Sequence, residues 1–150
     1  MVIADTGLWV ALAYPKDKHH ELAKQRLAEL SEQNERMITT CAVMTETCHL
    51  LLARAGISAQ QKFIEKYRQG VFSVFELNTE HSERVAELMR KYADLPMDLA
   101  DASLVVLAEY LGHGRILSTD QRDFHTYRWK NHQPFENLLL TVNPGAAQHE

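Results

Sequence analysis

The stretch Pro96-Met97-Asp98-Leu99-Ala100-Asp101-Ala102-Ser103-Leu104-Val105-Val106-Leu107-Ala108 decides how this chain is read. The proline favours a break, and the apolar run behind it suits a buried helix. Two aspartates three residues apart open that helix. Side chains at i and i+3 are neighbours on one helix face, so Asp98 and Asp101 point to a common place. A purely structural account exists. Asp98 is then the N-cap and Asp101 an N3 acid, both partners for free N–H groups and the helix dipole. That account leaves three further acids unexplained. Asp5, Glu46 and Asp120 stand where apolar runs are interrupted or end.

On the amino-terminal side, Val2-Ile3-Ala4 reads as a buried strand with Asp5 at its carboxyl end. Leu8 to Tyr14 reads as a short apolar helix stopped by Pro15. Lys16 to Asn34 reads as an amphipathic helix, opened by His19 and His20, two histidines expected in solvent. Met37 to Thr40 is a second strand, and Ala42 to Ala55 a helix closed by Gly56. Glu46 shares a face of that helix with Val43 and Leu50. An isolated buried carboxylate is strongly unfavourable, so Glu46 must be neutralised, paired (Arg54 is at hand) or bound to a cation. Ser58 is expected to cap a helix running to Gln69. Val71 to Glu76 alternates as a strand, and a helix starts at Thr79. The helix from Asp98 runs to about Leu111, where Gly112 ends it. Arg115 to Thr119 is a strand closed by Asp120, with Asp123 in the following turn. Leu138 to Val142 reads as a last strand. The domain is expected over residues 1–142, with residues 143–150, which include Pro144 and Gly145, as a flexible tail.

Strands alternating with helices predict a three-layer α/β/α fold with a central, mainly parallel sheet of four or five strands. Ligand sites in such folds lie beyond the carboxyl ends of the strands, at a topological switch point. Asp5 and Asp120 occupy strand ends, and Glu46, Asp98 and Asp101 the first turns of helices. Four or five carboxylates can thus converge at one edge. Hard divalent ions prefer oxygen ligands, and no His–Cys constellation accompanies these acids. The donor set therefore points to Mg²⁺ or Mn²⁺ rather than Zn²⁺. One or two such ions suit phosphodiester cleavage by activated water.

Composition fits this reading. With 45% hydrophobic and 24% charged residues among 150, the chain resembles an ordinary globular domain with a real core. A net charge of −4 argues against a generally basic nucleic-acid coat. It leaves room for a nuclease whose acids are offset by bound cations. Cys41 and Cys48 sit about 10 Å apart along one predicted helix, too far for a mutual disulfide. Free thiols, a start that meets an acid at once and no apolar run of membrane length predict a cytoplasmic protein.

The series Val2-Ile3-Ala4-Asp5-Thr6, Thr45-Glu46, Asp98-Leu99-Ala100-Asp101-Ala102-Ser103-Leu104 and Leu117-Ser118-Thr119-Asp120-Gln121-Arg122-Asp123-Phe124 resembles the PIN-domain nucleases. More narrowly, it is similar to the VapC-type toxins of bacterial toxin–antitoxin pairs, over about residues 2 to 142. The resemblance implies a PIN fold, Mg²⁺- or Mn²⁺-dependent endoribonuclease activity and inhibition by a small antitoxin. It makes Asp5, Glu46, Asp101 and Asp120 the acidic quartet, with Asp98 and Asp123 as further candidate ligands. Gly7 stands where Ser or Thr is common, and Ser118 where Thr is usual.

Two other regions invite roles. Arg122, Arg128, Trp129 and Lys130, with His125, Tyr127 and His132, form a basic, aromatic stretch suited to RNA phosphates and bases. The alternative is a solvated loop whose aromatics pack on the core. Trp9, Leu12 and Tyr14 are large and apolar for so short a helix, and the Glu46 helix adds Met44, Cys48, Leu51 and Leu52. An excess of this kind predicts a self-association or partner surface, which the family likeness makes a homodimer and an antitoxin groove. Three competing functions remain. A phosphoacceptor receiver domain would want a mid-chain strand-end Asp and a Lys between residues 98 and 124, which is absent. A non-catalytic RNA- or protein-binding module would lack an acid, and the quartet is complete. A PIN ribonuclease of RNA maturation, with no antitoxin, is the nearest alternative.

Overall fold

The computed structural model describes residues 1–140; the expected tail and the residues Thr141 and Val142 lie outside them. Strand β1 (Val2–Ala4) is three apolar residues with no exposed surface. It is followed by α1 (Thr6–Ala13), α2 (His20–Glu32), β2 (Met37–Thr40), α3 (Cys41–Ala55), α4 (Ile57–Arg68) and β3 (Phe72–Phe75). After a 3₁₀ turn at Thr79–His81 come α5 (Ser82–Lys91), α6 (Leu99–Leu111), β4 (Arg115–Leu117) and α7 (Gln121–Thr126). Three two-residue strands end the described chain: β5 (Arg128–Trp129), β6 (Gln133–Pro134) and β7 (Glu136–Asn137).

The main sheet has the order β3-β2-β1-β4-β7, with every pair parallel; β5 and β6 form a small antiparallel ribbon. The chain lays down β1, β2 and β3 outward in one direction, then crosses back to add β4 and β7 on the other side of β1. The order reverses between β1 and β4, so the crevice beyond their carboxyl ends is the switch point. Asp5 leaves one of those strands and Ser118 to Asp120 leave the other.

Helix α6 is what the sheet packs around. Eight of its thirteen residues are buried: Ala100 and the continuous run Ala102 to Ala108. A helix apolar on nearly all sides must be buried. Each fully buried Leu or Val adds about 1.5–3 kcal/mol over exposure. Gly112 ends α6 in the left-handed region, at φ 78°, where a Cβ is unfavourable. One hydroxyl bond ties β2 to α6 and another ties β2 to β1. Thr40 Oγ1 meets Ser103 Oγ at 2.7 Å, and Thr39 Oγ1 donates to the Ala4 carbonyl at 2.7 Å.

Several expectations need correction. Helix α2 starts at His20 because residues 15–19 turn around Asp17, whose carboxylate accepts from His19 N at 2.8 Å. His20 is half-buried, its Nδ1 2.7 Å from the Ala11 carbonyl, and so pins α2 to α1. Ser58 caps nothing; Gly56 holds the N-cap position of α4 without a side-chain bond. Among the described residues the last parallel strand is Glu136–Asn137, two residues ahead of the strand expected from Leu138. Leu138 to Leu140 form a turn held by the Asn137 side chain, which accepts from Leu139 N at 3.1 Å. Trp9, expected on a partner surface, is 2% exposed. Its ring packs against Phe63 and Phe72, with centroids 5.5 and 4.7 Å away. An indole this well surrounded belongs to the core. Leu12 and Tyr14 are half-buried.

Candidate active site

Four of the six predicted acids are placed by helix capping. Asp5 is the N-cap of α1, its Oδ1 accepting from Thr6 N at 2.7 Å. Asp98 and Asp101 form a reciprocal capping box on α6. Asp98 Oδ1 accepts from Asp101 N at 2.8 Å, and Asp101 Oδ2 accepts from Asp98 N at 3.4 Å. Asp120 caps α7 by accepting from Asp123 N at 3.1 Å. The structural account of these acids is therefore correct, and it does not compete with a functional one. A cap fixes the backbone end of a carboxylate and leaves its other lone pairs free.

All six acids line one cleft of about 340 Å³ beyond the carboxyl ends of β1 and β4. Asp5, Glu46, the pair Asp98 and Asp101, and the pair Asp120 and Asp123 come from four separate segments of the chain. The sequence reading missed a seventh acid on the wall, Asp17. Only the fold brings its turn alongside, so no local signal could have marked it. Three hydroxyl groups were missed as well. Ser118 Oγ donates to Asp5 Oδ2 at 2.8 Å and accepts from Asp120 N at 2.9 Å, tying the two strand ends together. Tyr127 Oη donates to Asp101 Oδ2 at 3.2 Å. The Thr6 hydroxyl is buried with no hydrogen-bond partner of ordinary geometry, though it lies near enough to Glu46 to favour its ionised form.

The electrostatics of the cleft are unbalanced. Burial, reinforced by Glu46 and Asp120, pushes the Asp5 carboxyl up to about 6 despite its two hydrogen bonds. Burial and the neighbouring Asp98 and Asp5 push Asp101 up to about 8. Burial, together with the shared hydrogen bond and charge of Asp120, pushes Asp123 to about 6. Glu46 is raised too, by burial and then by Asp98. Burial and the facing acids raise the Tyr127 phenol. Like charges crowded into one desolvated place each resist ionisation. The one basic lining residue is Arg54. It is exposed and makes no ion pair with Glu46 among the described residues.

A hard divalent cation fits this donor set: all-oxygen, anionic and short of positive charge. Among the described residues, no three His, Cys, Asp or Glu side chains are already gathered at ligating distance. Asp5 and Asp101 accept instead from N–H and O–H donors of the chain.

The basic, aromatic stretch divides. Arg122 and His125 border an open depression beside Asp120. Arg128 does not reach outward: its Nη1 donates to the carbonyls of His125, Thr126 and Tyr127 at 2.8–3.3 Å, closing the end of α7. Trp129 donates Nε1 to the Pro134 carbonyl at 3.1 Å across the β5–β6 ribbon. Lys130 lies over the Trp129 ring, 5.7 Å from its centroid. The Arg128 guanidinium is thus engaged at the end of α7 and the Trp129 indole in the ribbon.

The PIN domain family matches residues 2–130 of the chain. Ribonuclease VapC26 of Mycobacterium tuberculosis is 27% identical to it over 127 residues, spanning 85% of this chain and 92% of that protein. The fold is similar to that of the VapC20 crystal structure from Mycobacterium tuberculosis, described as a sarcin–ricin loop cleaving toxin. The TM-score is 0.71 at 21% identity, over 81% of this chain and 92% of the other.

Proposed function

We propose, from the premise that this chain belongs to the PIN-domain family, that it is an Mg²⁺- or Mn²⁺-dependent endoribonuclease and the toxin of a type II toxin–antitoxin pair. The observation that carries the reading is the cleft at the switch point, where six carboxylates face one another with no paired cation. The name of the relative VapC26 supports ribonuclease chemistry in particular.

Asp5, Glu46, Asp101 and Asp120 are the residues that would hold the ion, with Asp98 and Asp123 beside them. A bound divalent cation would supply Lewis-acid stabilisation of phosphoryl oxygens and acidify a water for hydrolysis. The chain's own part is preorganisation. Ser118 fixes Asp5 against Asp120, so the acids of two strands move as one unit. Tyr127 fixes one oxygen of Asp101. Thr6 offers a hydroxyl beside Glu46. Burial and the neighbouring Asp98 and Asp5 favour the protonated form of the Asp101 carboxyl, which a bound cation would oppose.

The partner reading follows from the same charge. A basic side chain of an antitoxin is attracted into an unpaired acidic cleft. Leu12 and Ala13 border a groove of about 330 Å³ between α1, α3 and α4 that mixes apolar side chains with Lys62 and Lys66, which suits an amphipathic segment of such a partner. Leu52, Ile57, Ile64, Tyr67 and Val71 are exposed nearby in the chain and suit a homodimer. Among the described residues no helix is long and apolar enough to cross a membrane, in keeping with a cytoplasmic toxin.

The deciding experiment is cleavage of a defined RNA by purified protein with Mg²⁺, Mn²⁺ or EDTA. Cleavage that needs the ion and is lost in Asp101→Asn supports the reading. Undiminished cleavage in EDTA would sink it. Rescue of a growth arrest by a short neighbouring open reading frame tests the antitoxin.

A further inference from the structure

The acidic cleft is continuous with the wider depression on the far side of Asp120, because Thr119 and Asp120 border both. The depression encloses about 770 Å³ and is bordered otherwise by Gln121, Arg122 and His125. Each end of the combined trough has an arginine. Arg54 stands at one end, about two turns along α3 from Glu46; Arg122 stands at the other, on α7. Both are exposed. Neither has an ion-pair partner among the described residues, whereas Arg68, Arg84 and Arg115 are each within 3.0 Å of a glutamate. Two exposed guanidinium groups outside any ion pair, of which Arg122 lies within electrostatic reach of Asp123, give an anion that spans the six carboxylates a cation at each end.

We propose that the trough is a track for single-stranded RNA, in which Arg54 holds a backbone phosphate on one side of the cleaved bond and Arg122, helped by His125, holds one on the other. This rests on the ribonuclease reading above and gives it a direction across the molecule. Acids alone repel a polyanion, and a cation beyond each end centres the strand over them. Guanidinium groups suit the task because they bind phosphate oxygens in a bidentate fork. Val10 and Leu50 line the cleft wall with Arg54. Val10 is almost wholly buried, so Leu50, half-buried, is the apolar side chain left to meet an unstacked base, which a duplex does not present.

The test uses a short single-stranded RNA labelled for fluorescence anisotropy, with Asp101→Asn protein in Mg²⁺ so that the RNA stays intact. Arg54→Ala and Arg122→Ala should each weaken binding about threefold or more. Each should also reduce the slope of log K against log salt by about 0.7, the value for one phosphate on a single strand. Arg54→Lys should restore most of the affinity. In the active protein, Arg54→Ala should raise KM and leave kcat nearly unchanged. Unchanged affinity and salt slope in both alanine variants would overturn the track while RNA cleavage by the parent stands. Equal affinity for a duplex of the same length would overturn the single-strand assignment. A parent protein that neither cleaves nor binds RNA would overturn the ribonuclease reading itself.

Discussion

The two ends of the sheet carry the same kinds of residue in opposite electrical states. At the amino ends of the strands, Glu35 meets Arg115 at 2.8 Å and the chain's own amino group at 3.7 Å. The Arg115 hydrogen bond holds its carboxyl below the usual range. At the carboxyl ends, Asp5, Glu46, Asp101 and Asp123 are all raised, by burial first and then by nearby acids, chiefly Asp98 and Asp120. One end has satisfied its charges and the other is short of positive charge. The presence of acids therefore says little about function; whether the fold gives them partners says much.

The largest break in that contrast is chemical. Asp5→Asn or Asp101→Asn should reduce RNA cleavage by more than about a hundredfold, beyond the usual loss when an outer partner of a metal ligand is removed. Glu35→Gln should leave cleavage unchanged. Equal losses in a turnover assay would remove the distinction between the two ends.

The next is thermodynamic. Asp5 and Asp101 have folded values near 6 and 8 against an unfolded value of 3.8. Their folded forms favour the proton, so the stability they contribute is complete below about pH 4 and lost as pH rises through 6 and 8. Metal-free protein should therefore melt at progressively lower temperature between pH 5 and pH 8, and Mn²⁺ should restore more at pH 8 than at pH 5. Asp101→Asn should stabilise the metal-free protein at pH 8 by about 1 kcal/mol, or about 3 °C, allowing for solvent relief of a partly accessible group. Calorimetry without added metal checks the sign: a melting temperature that rises from pH 5 to pH 8 would contradict it.

A smaller effect separates the paired acids. Asn serves as an N-cap as well as Asp, so Asp98→Asn should keep most activity and the fold. Kinetics that match those of Asp101→Asn would make Asp98 a ligand as well. The smallest effect belongs to the satisfied end. Arg115→Gln should cost no more than about 1 kcal/mol, as surface ion pairs do. The Glu35 contribution has the reverse pH sense: present above its unfolded value and lost as pH falls through the lowered folded one.

What could be read from the chain was what local rules encode. The capping box of Asp98 and Asp101, the all-apolar strand before Asp5 and the left-handed Gly112 each announce themselves within a few residues. They were enough to place β1, α6 and the acid edge between them. Residues whose role depends on tertiary approach stayed hidden. Ser118 matters because β4 pairs with β1 and so brings Asp5 alongside, Tyr127 because the chain after α7 returns to α6, and Asp17 because its turn borders the same cleft as Glu46. Trp9 misled for a related reason: its burial depends on Phe63 and Phe72, which lie more than fifty residues away. Arg128 and Trp129 carried a binding composition. Their use in a ribbon depends on the tight turn at Lys130 and Asn131, both at positive φ, and only Asn131 hinted at it.

One contact has a consequence for how such a site changes over time. A Cβ built on Gly7 would overlap the Thr119 hydroxyl. The space between the start of α1 and the end of β4 is thus shared by two residues more than a hundred positions apart. Bulk at one must be matched by its loss at the other. Across related chains, a larger residue at position 7 should travel with a smaller one at position 119, and the pair should be exchanged together or not at all. A lineage that acquires Ser at 7 first has to pass through a distorted cleft, which makes this pair a slow step in the drift of the site.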